Sequence, residues 1–556
     1  MAHTLESGEL QRVGTFAPLR VPMYRRIWTA SLISNFGQLI LGVGAAWEMT
    51  RMATSPGMVA LVQTALMLPM MLVALPAGAL ADMFDRRKIA MTGLSLAIFF
   101  ASALALLSYL ELTTPWLLLA FCSLIGAGVS LYGPAWQASI GEHVAPELLP
   151  KAIALGSIGY NLARSFGPAL GGIIVLAAGA ESAFAINALC YLPLLLVYLL
   201  WRRIPAPSRL PPERLGRAMI SGVRFVFHAK PIRTVLFRAF LFAAAGATAT
   251  ALAPLIAKSM LGGDASIYGI LLGASGIGAV CGAMVIGRFG EAFGPERGAI
   301  ILSVTSGVAL ILTGYSHYLV LTCICMFVAG SANMMTISLF NISVQTTAPR
   351  WVMARVLSLF FSALAGGIGF GAWMWGSVAS AWSVEVAIIA SGIFMLCLPF
   401  LAFILPLPEV AHRSSADLVE LPGQPETGMA ITMRSGPVVI EIDYDVDPAN
   451  ARQFYDAMQK VQRTRMRNGG FAWSICRDIA DPSLWTERYH CPTWGDYLRI
   501  RDRYTRADSE LQAAAQIFCR QGGLRIRRKL ERPYGSVRWK QDTPDQNAEG
   551  IAYVGP

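Results

Sequence analysis

The chain has 556 residues, 55% of them hydrophobic and only 14% charged, against about 25% charged in an ordinary soluble domain. That balance excludes a soluble globular protein, a disordered chain and a nucleic-acid-binding domain as the main body, because the surplus of apolar side chains has to face lipid. The net charge of +11 is uneven: residues 1–406 hold 24 Lys+Arg against 14 Asp+Glu, and residues 407–556 hold 21 against 20.

A membrane helix needs about 20 mostly apolar residues. Residues 1–26 form a polar arm without a signal-peptide cleavage pattern, so the first span is expected to stay in the membrane. Twelve apolar stretches follow, at 28–50, 57–81, 89–110, 115–137, 152–177, 182–201, 234–257, 266–287, 298–315, 318–341, 353–378 and 383–405. Turn residues separate them at Ser55-Pro56-Gly57, Thr113-Thr114-Pro115, Gly179-Ala180-Glu181 and Gly262-Gly263-Asp264. The longest internal connection, 202–233, divides the spans into a half at 27–201 and a half at 234–405. Its later part, Arg217 to Phe227, reads as an amphipathic helix at the membrane surface. The nine cysteines have no CxxC pair and no even framework, which argues for free thiols over disulfides or zinc.

Orientation follows from Lys and Arg in the short loops. One alternating set of loops holds Arg12, Arg20, Arg25 and Arg26, then Arg86, Arg87 and Lys88, Lys151, the 202–233 connection, Arg288 and Arg297, and Arg350 and Arg355; the other holds little beyond Arg51 and Lys258. The first set is expected in the cytoplasm, with both termini inside. The basic excess is then topological, and no nucleic-acid partner is expected.

Two motifs carry chemistry. Gly78-Ala79-Leu80-Ala81-Asp82-Met83-Phe84-Asp85-Arg86-Arg87-Lys88 follows the second span. Gly78 permits close helix approach, and Asp82 at a helix end can hold a neighbouring helix by charge–dipole attraction, a contact that forms in one state and releases in another. A weakened copy, Gly287-Arg288-Phe289-Gly290 to Gly294-Pro295-Glu296-Arg297, follows the eighth span without an acid at the Asp82 position. In the fifth span, Asn161-Leu162-Ala163-Arg164-Ser165-Phe166-Gly167-Pro168-Ala169-Leu170-Gly171-Gly172 combines a helix-bending proline with small residues for a close partner. Arg164 falls near the middle of that span. An intramembrane Arg is costly, so it is a functional candidate. It contacts an anionic group on cargo or protein, with Glu48 and Glu142 as protein candidates, or else it holds backbone carbonyls and Asn161. Glu48 is also a candidate proton carrier. Further polar residues at span depth, Asn35, Gln38, Gln137 and Asn333, suit a cavity for amphiphilic or aromatic cargo.

The Gly78–Lys88 segment resembles the loop signature of the major facilitator superfamily, with Gly78, Asp82, Arg86 and Arg87 as its latch and Asp85 where a glycine is usual. Gly167, Pro168, Gly171 and Gly172 resemble the antiporter motif of its exporters. Residues 20–405, through phrases such as Gly133-Pro134-Ala135-Trp136-Gln137-Ala138 and Ala185-Ile186-Asn187-Ala188, resemble the transmembrane secretion effector group, which includes the enterobactin-exporter type. The resemblance implies a twelve-helix all-α membrane protein of two six-helix halves in the bacterial inner membrane. It implies export of a small molecule driven by protons, with no cofactor or metal; an importer on the same fold is the alternative.

After a linker at 406–436, residues 437–535 read as βαββαβ: strands at 438–444, 471–479, 484–491 and 524–530, a helix opened by Asp447-Pro448 and closed by Asn468-Gly469-Gly470, and one or two helices in 494–518. This order is a ferredoxin-like α+β domain. It resembles antibiotic-biosynthesis-monooxygenase-type domains, which implies self-association. Trp473, Tyr489, His490 and Trp494 are the residues that would line a pocket if the domain were a fused enzyme; without a second His or a nucleophile motif, no enzyme activity is expected. Residues 536–556 form a tail.

Overall fold

The computed structural model describes residues 16–408 apart from 54, 146–147, 202–222 and 350–351, and residues 425–531 apart from 426, 430 and 521–524. Its membrane helices are α1 (Pro22–Met52), α2 (Pro56–Met83), α3 (Arg86–Tyr109), α4 (Pro115–His143), α5 (Leu149–Leu200), α6 (Lys230–Gly246), α7 (Ala265–Tyr315), α8 (Leu319–Thr347), α9 (Met353–Ala381) and α10 (Val384–Cys397). Proline and capping side chains decide where they begin. Pro22, Pro56 and Pro115 stand in first turns, where a missing N–H costs nothing. Asp85 accepts from the Arg87 N–H at 3.0 Å, Asp264 from Ser266 at 3.0 Å and Ser383 from Val386 at 3.2 Å, each satisfying a donor that the helix leaves orphaned. Short helical pieces at Thr248–Ala251 and Ala253–Leu255 and a π-helical turn at Ile256–Met260 extend α6.

Among the described residues, ten helices are long and apolar enough to cross a membrane. Two of them, α5 with 52 residues and α7 with 51, are twice as long as a crossing needs. Each contains a backbone break: Ala178 and Gly179 leave helical angles in α5, with Gly179 at φ +76°, and Gly294 does so in α7 at φ +69°. Glycine takes such angles without steric cost. The chain reverses at both breaks. Gly167 of the first arm of α5 and Cys190 of the second both lie against the 37–39 stretch of α1, and Gly290 and Gly298, on either side of the α7 break, both lie against Leu339. Pro168 keeps helical backbone angles, and the break in α5 falls at Gly179, where the sequence separates the fifth and sixth spans.

Residues Met1–Met219, Thr234–Val344 and Leu357–Glu409 form one compact unit. Its core is small-residue packing around α1. Two side chains of α1 reach backbone of α5: Tyr24 Oη donates to the Ala152 carbonyl at 2.6 Å and Trp28 Nε1 to Leu155 at 2.8 Å. Large apolar residues such as Phe99 and Met284 stand exposed, 65% and 81%, on the faces turned to lipid.

The second unit comprises Ile220–Arg233, Gln345–Val356 and Val410–Pro556. Its sheet has the order β2-β3-β1-β4, from β1 (Val438–Asp445), β2 (Phe471–Arg477), β3 (Leu484–Cys491) and β4 (Arg525–Leu530), all neighbours antiparallel. Alternation along β1 turns Val438, Ile440, Ile442 and Tyr444 inward. The outward Glu441 and Asp443 meet Lys529 and Arg527 of β4 at 2.6 Å each. Helix α11 (Ala451–Asn468) buries Phe454, Met458, Val461 and Arg465 at helical spacing. The region expected as one or two helices is two, α12 (Trp494–Asp502) and α13 (Arg506–Gln516), the second opened by a capping box of Thr505 and Asp508. Of the expected amphipathic linker helix, residues 217–222 lie outside the described residues and 223–228 are helical. Residues 1–15, 409–424 and 532–556, with most of the terminal arm, the 406–436 linker and the tail, also lie outside them.

Candidate functional site

The loop between α2 and α3 owes its geometry to charge. With Asp85 capping α3, Arg86 Nη1 reaches Glu142 Oε1 of α4 at 2.9 Å. Arg87 Nε and Nη2 donate to the carbonyls of Tyr198 and Leu199 at 2.8 Å each, closing the end of α5 where carbonyls lack helical partners. Asp85, absent from the usual signature, is therefore the cap that starts α3. Gly78 and Asp82 belong to the last turns of α2, and their surroundings lie outside the described residues.

The weakened copy after the eighth span also bears charge contacts, which the sequence reading missed. Glu296, two residues past the Gly294 break, accepts from Arg238 Nη1 of α6 at 2.7 Å and from the Leu407 N–H at 2.5 Å. Arg238 is 6% exposed and also donates to the Leu405 carbonyl at 3.2 Å. One ion pair thus joins α6, the second arm of α7 and the chain beyond α10. Arg238, a cation inside an apolar run, was the available signal.

The glycine motif of α5 is a seam with two partners. A Cβ at Gly171 would lie 3.1 Å from Val43 Cβ of α1, and one at Gly172 would lie 2.6 Å from the Ala265 carbonyl and 3.0 Å from Gly269 Cα of α7. On α7, a Cβ at Gly276 would strike Ser165 Cα at 2.5 Å. Ser165 Oγ accordingly bonds the Gly276 carbonyl at 3.0 Å. Backbone comes close to backbone here because α7 presents glycines and α5 only glycine and small side chains, with the Ser165 hydroxyl bonded across the crossing.

Arg164 stands next to that seam. It is fifteen residues from Leu149 and fifteen from the Gly179 break, so it lies at mid-arm, about 22 Å of helix from either end. The side chain is half-buried, and among the described residues no hydrogen bond or ion pair to it is found. Glu142 is engaged by Arg86, and Glu48 by Arg51 at 3.2 Å. Asn161, one turn earlier, is half-buried too. Depth along α1 can be read from its contacts with α5: Gly159 lies against Trp28 and Leu32, and Gly167 against Phe36 and Leu39. Half-buried Asn35 and Gln38 therefore share the level of Arg164. They occupy one face with Gly42 at i, i+3 and i+7, and a Cβ at Gly42 would have nothing within 4 Å. Asn333 is half-buried on α8, and the surroundings of Gln137 on α4 lie outside the described residues.

Further contacts join the first set of helices to the second. Lys258 Nζ, on the π-helical turn, donates to the Thr50 carbonyl at 2.8 Å, and Trp47 stacks on Tyr268 at 6.4 Å. The Gly57 N–H donates to Ser380 Oγ and Thr64 Oγ1 to the Gly369 carbonyl, both at 2.8 Å. These contacts involve the last turn of α1, the first turns of α2 and the start of α7. They tie the sets together at the end of the bundle opposite the Arg86–Arg87 loop.

In the C-terminal domain Trp473, Tyr489 and Trp494 belong to one core cluster, and His490 stands apart from them. Tyr489 and His490 are successive strand residues and point to opposite faces. Tyr489 lies inside under the Arg465 guanidinium, and His490 lies on the other face near Glu531 at 3.4 Å. Trp494 packs on Tyr497. Between sheet and helices is a bonded polar network: Glu487, fully buried, accepts from Arg465 Nε at 3.0 Å, Tyr444 Oη at 2.8 Å and Trp473 Nε1 at 2.9 Å. Gln512 completes it with Arg465 and Tyr444. Burial pushes the nearby Cys491 thiol up to about 12, so it stays protonated and unreactive at neutral pH.

Broken long helices, paired helix sets and a half-buried cation at mid-arm are the features of a multi-pass membrane transporter of the major facilitator fold. The family model described as transmembrane secretion effector matches residues 13–534, and the chain belongs to that family. The match runs on through the C-terminal domain. Among curated relatives, the staphyloferrin A transporter of Staphylococcus aureus is 23% identical over 61% of this chain and 85% of its own length. The enterobactin exporter EntS of Escherichia coli K12 is 24% identical over 70% of this chain and 93% of its own length. Among solved structures, a bacterial homologue of the lysosomal transporter Spinster, inward-facing and unoccupied, superposes with a TM-score of 0.58 at 15% identity, covering 70% of this chain and 97% of that one. The nucleoside transporter NupG does so at 0.56 and 14%, covering 69% and 98%. The protein is a secondary transporter; nothing among these similarities supports the fused-enzyme alternative.

Proposed function

We propose that the protein exports a small molecule carrying an anionic group from the bacterial cytoplasm, driven by protons and by alternating access. The observation that carries this reading is Arg164, half-buried at mid-arm with no hydrogen bond or ion pair among the described residues. A cation there costs several kcal/mol without a counter-charge, and an anionic cargo supplies one when bound. Asn161, Asn35, Gln38, Gln137 and Asn333 complete the polar lining in this reading. Relatives named for staphyloferrin A transport and enterobactin export favour a cargo of siderophore class. Counting each arm of α5 and α7 separately gives twelve traverses. The Arg86–Arg87 end is then cytoplasmic, both termini are inside, and the contacts around Lys258 and Ser380 close the outer side. Glu48 is the proposed proton carrier. The C-terminal βαββαβ order is ferredoxin-like, and its role is non-catalytic, with self-association through the domain.

The test is export of labelled enterobactin and of a panel of anionic compounds from cells that lack other exporters. Arg164→Ala should abolish export while the protein stays in the membrane. Arg164→Lys keeps the charge but loses the planar fork, and should retain partial activity. Normal export by both variants would remove Arg164 from the site; loss of the protein from the membrane would make it structural. A protonophore should stop export, and import of the same compound would reverse the direction proposed. The Asp82 latch is tested by Asp82→Asn, expected to slow export several-fold with insertion intact. Wild-type export in that variant removes Asp82 from the mechanism.

A further inference from the structure

The connection between the two sets of helices shares a compact unit with the C-terminal domain, although some 200 residues separate them in sequence. Its described part is helical at 223–228 and leads directly into α6. Four of its apolar residues are buried: Phe225, Val226, Ala229 and Ile232. Two arginines cross in opposite directions. Arg224 of the connection donates from Nη1 to the Gly469 carbonyl at 3.1 Å. Arg467 of the domain lays its guanidinium over the Phe225 ring, 5.6 Å from the centroid.

The receiving surface is built rather than incidental. Gly469 follows the last residue of α11 with φ +121°, and its N–H turns back to the Met466 carbonyl at 3.3 Å. Its own carbonyl therefore sits at the negative end of the helix, where a cation is favoured. Arg467 is held by the Asp508 carboxylate, whose side chain is fully buried. Asp508 also accepts from the Thr505 N–H at 3.1 Å and Asn468 Nδ2 at 3.3 Å. The α11 end and the α13 start thus fix the guanidinium before any ring arrives. A ring face held by an oriented cation and an Arg held by a helix end are two separate recognition elements, met by adjacent residues.

We infer that the C-terminal end of α11 is a docking surface whose partner is this chain's own 223–233 segment, and that docking fixes where α6 begins. Release would take the Phe225 ring from the Arg467 guanidinium and leave the Gly469 carbonyl without Arg224. The domain is thereby a positioning part of the transporter.

Hydrogen exchange on the full-length protein in nanodiscs tests this with no need of cargo. In Phe225→Ala and Arg224→Ala, amides of 223–228 and of 230–237 should exchange at least threefold faster, with β1 and β3 as protected as in the wild type. Arg224→Lys, which keeps a donor for the Gly469 carbonyl, should restore most of the protection. Unchanged exchange at 223–228 in both alanine variants would overturn the docking. Faster exchange confined to 223–228, with 230–237 unchanged, would overturn the positioning of α6. If Phe225→Ala fails to accumulate, Arg224→Ala and its lysine counterpart decide alone.

Discussion

Arg87 reads in the sequence as one of three basic residues that orient a loop, and in the structure it ends α5. Its two bonds to the Tyr198 and Leu199 carbonyls are charge-assisted, worth about 1.5–3 kcal/mol each where partly shielded from water and less where solvent screens them. Arg87→Ala should lower the thermal midpoint in detergent by a few degrees without changing orientation, since Arg86 and Lys88 remain. An unchanged midpoint would mean that water replaces the guanidinium at no cost. Arg164 was legible because an isolated cation in an apolar run has few explanations. Glu487 was not singled out, although it alternates with Trp485, Tyr489 and Cys491 along β3 and shares their inward face. The Arg238–Glu296 pair was not legible as a pair: Arg238 stands out in its apolar run, but 58 positions separate the residues and nothing in the sequence names Glu296 as its partner.

Among the elements, apolar runs gave the positions of the helices well and their lengths less well. Span four was expected to end at 137, yet α4 continues to His143, and α8 continues to Thr347. Backbone hydrogen bonding carries a helix past the point where hydropathy falls, until a cap or a proline stops it. The two long helices were legible as pairs because Gly179 and Gly294 punctuate them. The partner of the α5 glycines was not, since small residues say that something comes close without saying what. The seam with α7 gives a contrast between two glycines of one helix. A Cβ at Gly276 meets backbone at 2.5 Å, and one at Gly287 meets nothing within 4 Å. Gly276→Leu should force α5 and α7 apart, cost about 1–3 kcal/mol in overpacking and abolish transport. Gly287→Ala should leave transport and thermal midpoint within error of the wild type. Equal behaviour of the two would show that the seam does not bear on function.

For the whole molecule, orientation remains the property that basic loops alone supply. Phe84 and Leu112 are both well exposed, in loops at opposite ends of α3. In intact cells a membrane-impermeant maleimide should label Leu112→Cys and leave Phe84→Cys untouched until the cells are opened. The reverse pattern would invert the protein and with it the export direction. The seam between α5 and α7 has a kinetic consequence. Interlocked side chains must change rotamer before two helices can slide, and each change adds to the barrier. Where glycine meets backbone there are few rotamers to reset, so shear of these helices by part of a turn has chiefly the Ser165–Gly276 hydrogen bond to break. The slow events of the cycle are then the discrete ones: Lys258 leaving the Thr50 carbonyl and Ser380 leaving the Gly57 amide. On this reading a few polar bonds, and not a resetting of packed side chains, should set the turnover rate, with the long interface acting as a bearing.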